Sequence, residues 1–271
     1  MIHYRSSLKK IFLFLMLSII LSSYYSVLHS NEGSSKLSSK CLKPKVLILV
    51  TSSNDLPVYA ELRNIWRGYM HTFPDCVEAY FIEADPTLTG SFEIKEDIIL
   101  TKCNECIIPG IMQKTLLTME AFLPKIDEFD FIIKTNLSSF YIIPRLLDFL
   151  ETLPLQKCYC GSLLFDWNIC SGAGIIFSKD VVELMLENKS CLFNSSDYDD
   201  VAIGKFMKSN GIKAINAPRV DFLNTDMWLQ HKDDIPSDTF HIRTKHPENL
   251  RATLEVAIQR ELFMMFYFDL D

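Results

Sequence analysis

Glycine is scarce, with 9 in 271 residues. No glycine-rich turn follows the first apolar run, and neither a G-x-G-x-x-G fingerprint nor a P-loop occurs anywhere. Those absences argue against dinucleotide-binding and P-loop nucleotide folds, whose phosphates rest on such turns. No G-x-S-x-G elbow is present, which argues against the α/β-hydrolase arrangement. Positive charge is also in deficit. Lys and Arg number 27 against 34 Asp and Glu, a formal net charge of -7. No Lys/Arg stripe interleaved with aromatics appears, so wholesale nucleic-acid binding is not expected. There is no internal repeat. Cys103-Asn104-Glu105-Cys106 has no second C-x-x-C or H-x-x-x-H partner, which disfavours a zinc site.

What the chain does contain begins with an apolar segment. Arg5, Lys9 and Lys10 precede Ile11 to Leu21, and Tyr24 to Leu28 extend that run weakly. A basic flank before an apolar core is a secretory signal. The expectation is a type II signal-anchor (residues 1–30), with its C-terminal domain in the lumen of the ER or Golgi, against the alternative of a cleaved signal and a secreted protein. Residues 31–43, rich in Ser, Gly and Lys, form a short stem. All eight cysteines lie beyond this segment, where a secretory compartment permits disulfides. Asn188 and Asn194 open glycosylation sequons.

Residues 44–271 alternate strand and helix patterns, which predicts an α/β domain. Lys45 to Val50 reads as a central strand ending in the polar turn Thr51 to Asp55. Leu62, Ile65, Trp66 and Tyr69 have helical spacing. Val77 to Ile82 and Ile98 to Leu100 read as strands, and Ile111 to Phe122 as a helix. Phe131 to Ile133 is a further buried strand that turns abruptly polar at Lys134, as strands of an α/β sheet do at ligand-binding carboxyl ends. Later strands are placed at Tyr159 to Phe165, Ile175 to Phe177 and Ala214 to Ala217. Helices are placed at Ile142 to Leu153, through Leu186, and from Val201 to Ser209. The Gly172 to Gly174 stretch reads as a turn, and Leu250 to Leu270 as an amphipathic helical tail.

Several constellations could carry chemistry. Lys134, Thr135, Asn136, Ser138 and Ser139 offer a cation and neutral hydrogen-bonding groups but no carboxylate. Asp197, Asp199 and Asp200 precede a helix, where acids stabilise the N-terminal dipole by roughly 0.3–1 kcal/mol each. A third acid leaves room for a general base. His241, Arg243 and Lys245 alternate, so in an extended segment they share one face, a row suited to a diphosphate. A solvated strand is the plain alternative. Trp66, Trp167 and Trp228 could stack on sugars, with Trp66 better explained as core.

The order and spacing of these pieces resemble the galactosyltransferase and Fringe-type β1,3-glycosyltransferases. The resemblance is carried by Leu62-Arg63-Asn64-Ile65-Trp66, by Asp97-Ile98-Ile99 followed by Lys114-Thr115, by Cys170-Ser171-Gly172-Ala173-Gly174 running to Asp180, and by Asp199-Asp200-Val201-Ala202-Ile203-Gly204. It implies a GT-A type, Rossmann-like single domain with a mixed, mainly parallel sheet behind an N-terminal hydrophobic helix. It also implies a Golgi enzyme using a nucleotide sugar, with a UDP-sugar favoured, and a glycan or glycoprotein acceptor. Asp200 would be the base of an inverting displacement, assisted by Asp199. Thr51, Ser52, Arg63, Lys114, Lys134, Asn136, Ser138, Gly172, Ala173 and Gly174 would line the donor site. The family's metal-binding K-x-D-D-D-x-F falls at Lys134 to Phe140, where every carboxylate is replaced. Mn2+ would lack its usual ligands, and His241, Arg243 and Lys245 would neutralise the diphosphate instead. A catalytically inactive glycan-binding or structural protein of the same fold is the rival reading.

Overall fold

The computed structural model describes residues 43–164 and 169–268. The apolar N-terminal segment, most of the proposed stem and Trp167 lie outside them. Among the described residues, no helix is long and apolar enough to cross a membrane.

An eight-stranded sheet orders its strands β3-β4-β2-β1-β5-β8-β7-β9. These are β1 (Val46–Thr51), β2 (Val77–Ala84), β3 (Phe92–Lys95), β4 (Ile98–Thr101), β5 (Phe131–Asn136), β7 (Tyr159–Leu164), β8 (Ile169–Ser178) and β9 (Ala214–Asn216). β4, β2, β1 and β5 run parallel, whereas β8 is antiparallel to both β5 and β7. A smaller sheet joins β10 (Val220–Asp221), β11 (His241–Arg243) and β6 (Ser139–Tyr141).

The continuous apolar run of β1 is explained by helices on both faces of the sheet. Val46, Ile48 and Val50 face a core built with α1 (Pro57–Arg67), α3 (Ile143–Leu150) and the C-terminal α8 (Val256–Tyr267). Leu47 and Leu49 face the opposite core, built with α2 (Gly110–Phe122), α4 (Lys179–Glu187) and α6 (Asp199–Ser209). Between α4 and α6 sits the short α5 (Lys189–Phe193), and α7 (Thr225–His231) precedes β11. Gly211, with φ of +69°, turns the chain after α6 in a conformation that suits glycine.

β1 pairs with β2 on one side and with β5 on the other, so the chain reverses direction of travel across the sheet at the β1/β5 gap. Such switch points open a crevice at the carboxyl ends of the strands. Thr51 of β1 stands opposite Asn136 of β5 there.

The polar sequence Ser171 to Gly174 is a correction. It does not form a turn but runs through the middle of β8, with Gly174 opposite Thr135 of β5. A Cβ on Gly174 would come within 2.5 Å of both His241 Cε1 and the Tyr141 hydroxyl. Glycine is needed there for close packing across the strand rather than for a bend. The cysteines expected to permit disulfides include six free thiols, at Cys103, Cys106, Cys158, Cys160, Cys170 and Cys191. Burial raises the Cys158 and Cys170 thiols to about 12, which keeps them protonated and unreactive.

Candidate active site at the β1/β5 switch point

Two loops meet at the crevice. The first, Thr51 to Asp55, leaves β1 and enters α1. Its geometry is fixed from beneath by buried charges. Arg63 of α1 donates to Ser52 Oγ at 2.9 Å, to the Ser53 carbonyl at 2.8 Å and to Asn54 Oδ1 at 2.8 Å. Its countercharge is Glu83 of β2, at 2.6 Å, which also accepts from Ser52 Oγ and from Asn54. Lys114 of α2 donates to the Ser52 carbonyl at 2.8 Å and pairs with Glu105 at 2.7 Å. Arg63 and Lys114 are thus buried braces whose bonds go to the loop itself, and Ser52 is buried with them. The Thr51 hydroxyl, by contrast, is a buried group with no partner at the strand end.

The second loop, Asn136 to Ser139, joins β5 to β6. Asn136 Oδ1 accepts from the Ser138 amide at 3.1 Å, a local turn bond. The rest of the loop is held by the C-terminal segment. Thr244 donates its amide to the Ser138 carbonyl at 2.8 Å. Gln259 donates to the Leu137 carbonyl at 2.8 Å. Arg251 donates to Ser138 Oγ at 3.0 Å. Nothing in the sequence pattern of the tail singled out Arg251, Glu255 or Gln259. Their only signal was the presence of polar residues within an otherwise amphipathic stretch.

Beside these loops lies β8. Lys134 is buried on β5 and reaches across to the Gly172 carbonyl at 2.9 Å and to the Asp199 carboxylate. Asp200 is half-buried in the first turn of α6. Its Oδ2 accepts from the Gly172 amide at 3.0 Å, and its Oδ1 from the Val201 amide at 2.9 Å. Asp199 therefore has a salt-bridge partner, while Asp200 has only neutral donors. A carboxylate oxygen with one amide donor still has a lone pair for a proton. Asp197 is removed from this group, pairing at the surface with Lys205 at 2.8 Å. The Ala173 carbonyl accepts from Thr135 at 2.6 Å and from Ser139 at 2.8 Å, tying β5, β6 and β8 together.

The row His241, Arg243 and Lys245 divides. His241 is buried, stacked on Tyr141 at 4.6 Å between ring centres, with Nε2 at 3.0 Å from Ser139 Oγ. Burial first, then the Arg219 and Arg243 cations, hold its pKa well below the usual histidine range. It is a neutral ring packed in the sheet joint, so electrostatic neutralisation of an anion does not come from it. Arg243 is half-buried and loosely paired, its Nη1 lying 3.6 Å from Asp221. Lys245 is exposed. Partial loss of water around its ammonium lowers its pKa, and the Arg243 and Arg251 cations add to this while Glu255 opposes.

Among the described residues no group of three or more His, Cys, Asp and Glu side chains could hold a metal ion. The loop where the resemblance places metal-binding acids presents Asn136 Oδ1 and Ser138 Oγ, both already accepting protein donors. That donor set does not fit a divalent cation, which takes anionic oxygen ligands. Of the tryptophans, Trp66 and Trp228 are buried, and Trp228 Nε1 donates to Glu261 at 2.8 Å. Neither offers a free face to a sugar. Asn188 and Asn194 flank α5, the latter exposed.

No protein-family model matches the chain, and no curated protein matches it. Solved structures do. A glycosyltransferase involved in the glycosylation of the major capsid of PBCV-1 superposes with a TM-score of 0.52 at 12% identity, over 80% of this chain and 100% of that one. The apo-form glycosyltransferase GlyE of Streptococcus pneumoniae gives 0.38 at 10% identity, over 82% and 64%, too low a score to bear on the fold. The first likeness shows the architecture: the described domain has the fold of a glycosyltransferase.

Proposed function

We propose that the protein is a glycosyltransferase that moves a sugar from a nucleotide-sugar donor to a hydroxyl of a glycan or glycoprotein, with inversion at the anomeric carbon. The observation that carries this reading is Asp200. Its carboxylate is held by the Gly172 amide beside the carboxyl end of β5 and carries no salt bridge. It accepts the proton of the acceptor hydroxyl as that oxygen bonds to the anomeric carbon. The bond from that carbon to the diphosphate breaks, and the electron pair leaves with the phosphate oxygen. Asp199 positions the α6 N-terminus through Lys134, which makes it a support for Asp200 rather than a second base. The Thr51 to Asp55 loop receives the nucleoside, with Arg63 and Lys114 fixing its shape. Arg243 and Lys245 face the diphosphate, giving an enzyme with little or no need for Mn2+. A UDP-sugar donor and a luminal, membrane-anchored location belong to the same proposal, with Asn188 and Asn194 as glycosylation acceptors.

The decisive experiment is a donor-hydrolysis and transfer screen against several nucleotide sugars, with Mn2+ and with EDTA. Asp200→Asn should lower turnover by roughly 10²–10⁴ while donor affinity is retained. Full turnover in that variant would remove the base assignment. The rival reading, a non-catalytic glycan-binding protein, is favoured by the diversion of Asn136 and Ser138 into structural bonds. It predicts no hydrolysis of any donor in the same screen.

A further inference from the structure

One cation at the switch point is left without a role in that reading. Arg251 begins a π-helical turn, Arg251–Glu255, just before α8. Such turns are frequent at functional sites. Its guanidinium bridges α1 and the loop between β5 and β6. On the β1 side it lies 4.9 Å from the centre of the Tyr59 ring and donates to the Tyr59 hydroxyl at 3.0 Å. On the β5 side it donates to Ser138 Oγ at 3.0 Å. Ser138 is where the resembling family would place a metal-binding acid, so a guanidinium stands against the position from which an ion would be held.

We infer that Arg251 is a diphosphate-binding residue, completing with Arg243 and Lys245 a metal-free anion site at the β1/β5 switch point. The inference rests on the nucleotide-sugar reading and names the group that takes the place of the ion. Donor counting supports it. Arg251 bonds Glu255 through Nε at 2.8 Å and through Nη2 at 3.2 Å, besides its bonds to Tyr59 and Ser138. A guanidinium has five N–H groups, so one on Nη1 is uncommitted. Among the described residues Arg243 Nε and Arg219 Nη1, whose guanidinium groups share Asp221, are buried donors without a partner. Buried donors are seldom left unmatched, and phosphate oxygens would match them.

Charge counting agrees. Among the described residues Arg219, Arg243 and Arg251 form ion pairs with two acids, Asp221 and Glu255, and Lys245 interacts with Glu255. Arg219 is the most fully neutralised, bonded to Asp221 at 2.6 Å and 3.0 Å. The surplus of positive charge has the sign and size of the charge on a diphosphate ester. The Lys245 pKa is lowered first by burial and then by the Arg243 and Arg251 cations, which places those two charges beside it.

The test is calorimetric titration of the full chain with inorganic pyrophosphate and with UDP, in EDTA and at two ionic strengths. The wild type should bind both without a divalent ion. Arg251→Gln should weaken both by about tenfold or more and make the salt dependence shallower, while Arg251→Lys, which keeps the charge but not the fork of donors, should fall between it and the wild type. Lys245→Gln, at an exposed side chain, should weaken binding severalfold without altering the melting temperature. It carries the test if Arg251→Gln fails to fold. Unchanged affinity in Arg251→Gln, or in Lys245→Gln where Arg251→Gln does not fold, or binding only with Mn2+, would overturn the inference. Pyrophosphate binding without UDP binding or donor turnover would leave the anion site standing and remove the glycosyl-transfer reading. Donor turnover in EDTA with wild-type pyrophosphate affinity in the variants would do the reverse.

Discussion

Single atoms decide much at this site. Gly174 leaves room for His241 and Tyr141 to stack against β8, and a methyl group there would overlap both. Gly174→Ala should therefore lower stability by about 1–3 kcal/mol, the usual range for overpacking a filled core. Urea unfolding would measure it, and a neutral result would mean the joint is looser than described. Lys134 presents the opposite hazard, loss of a charge. Its partner Asp199 is buried, with a side chain only 10% exposed. Removing the ammonium should strand that carboxylate, costing about 3–5 kcal/mol in Lys134→Met. Replacing both, in Lys134→Met with Asp199→Leu, should recover most of the loss. A double variant destabilised by the sum of the two single losses would show that the pair is not coupled. Lys134 was legible in the sequence as a polar residue at a strand end, but its partner was not. Lys134 and Asp199 are separated by 65 residues in the chain, and only the β5–β8–α6 packing brings them together.

At the scale of elements, the C-terminal helix is the part whose importance the pattern concealed. Periodicity shows that α8 is amphipathic, and the structure shows what its polar members hold. Tyr267 donates its hydroxyl to the Tyr141 carbonyl at 2.7 Å and accepts from the Ile143 amide at 2.7 Å. It thereby joins α8 to the end of β6 and the start of α3. Tyr267→Phe leaves both buried backbone groups unsatisfied and should cost about 1–3 kcal/mol, read from the shift in the thermal midpoint. An unshifted midpoint would require water to replace the hydroxyl. Most of the parallel half of the sheet was legible, because β1, β2 and β5 are buried on both faces and appear as apolar runs. The edge strand β3 was missed because it is only four residues long and all of them are exposed, although Phe92 and Ile94 alternate with Glu93 and Lys95. The length of β8 was missed because Ser171 to Gly174 has a turn composition. Those small residues are there to admit side chains from β5, β6, β11 and α6.

For the whole molecule, pH supplies a global test. His241 titrates well below its ordinary value of 6.5 in the folded protein because it is buried beside Arg219 and Arg243. Below about pH 6.5 the unfolded chain gains a proton that the folded chain refuses, so stability must fall as the pH drops. The limiting slope is about 1.4 kcal/mol per pH unit. Unfolding curves at pH 7.5, 6.5 and 5.5 should show that decline, and His241→Phe should flatten it. A wild-type stability independent of pH over this interval would contradict a neutral, buried His241. The acids with lowered pKa, Glu78 and Asp85, start from 4.5 and 3.8. Their stabilisation, like that of Glu261, is fully present across this window and is lost only below it, as the carboxylates protonate.

The sequence by itself determined the α/β alternation, the apolar strands that build the sheet, the polar ends of β1 and β5, and the absence of acids from Asn136 to Ser138. Those are local properties, because period, burial on two faces and side-chain charge are written in neighbouring residues. Tertiary structure alone decided which polar residues are partners of one another. It turned Arg63 and Lys114 into braces, took His241 out of the cation row by burying it against Tyr141, and tied Asp199 to Lys134 while giving Asp200 backbone amides as its donors. It also brought Arg251 from the tail against Tyr59 and Ser138. Charge–charge energy depends on distance through space and on the water removed between the groups, and a linear chain records neither.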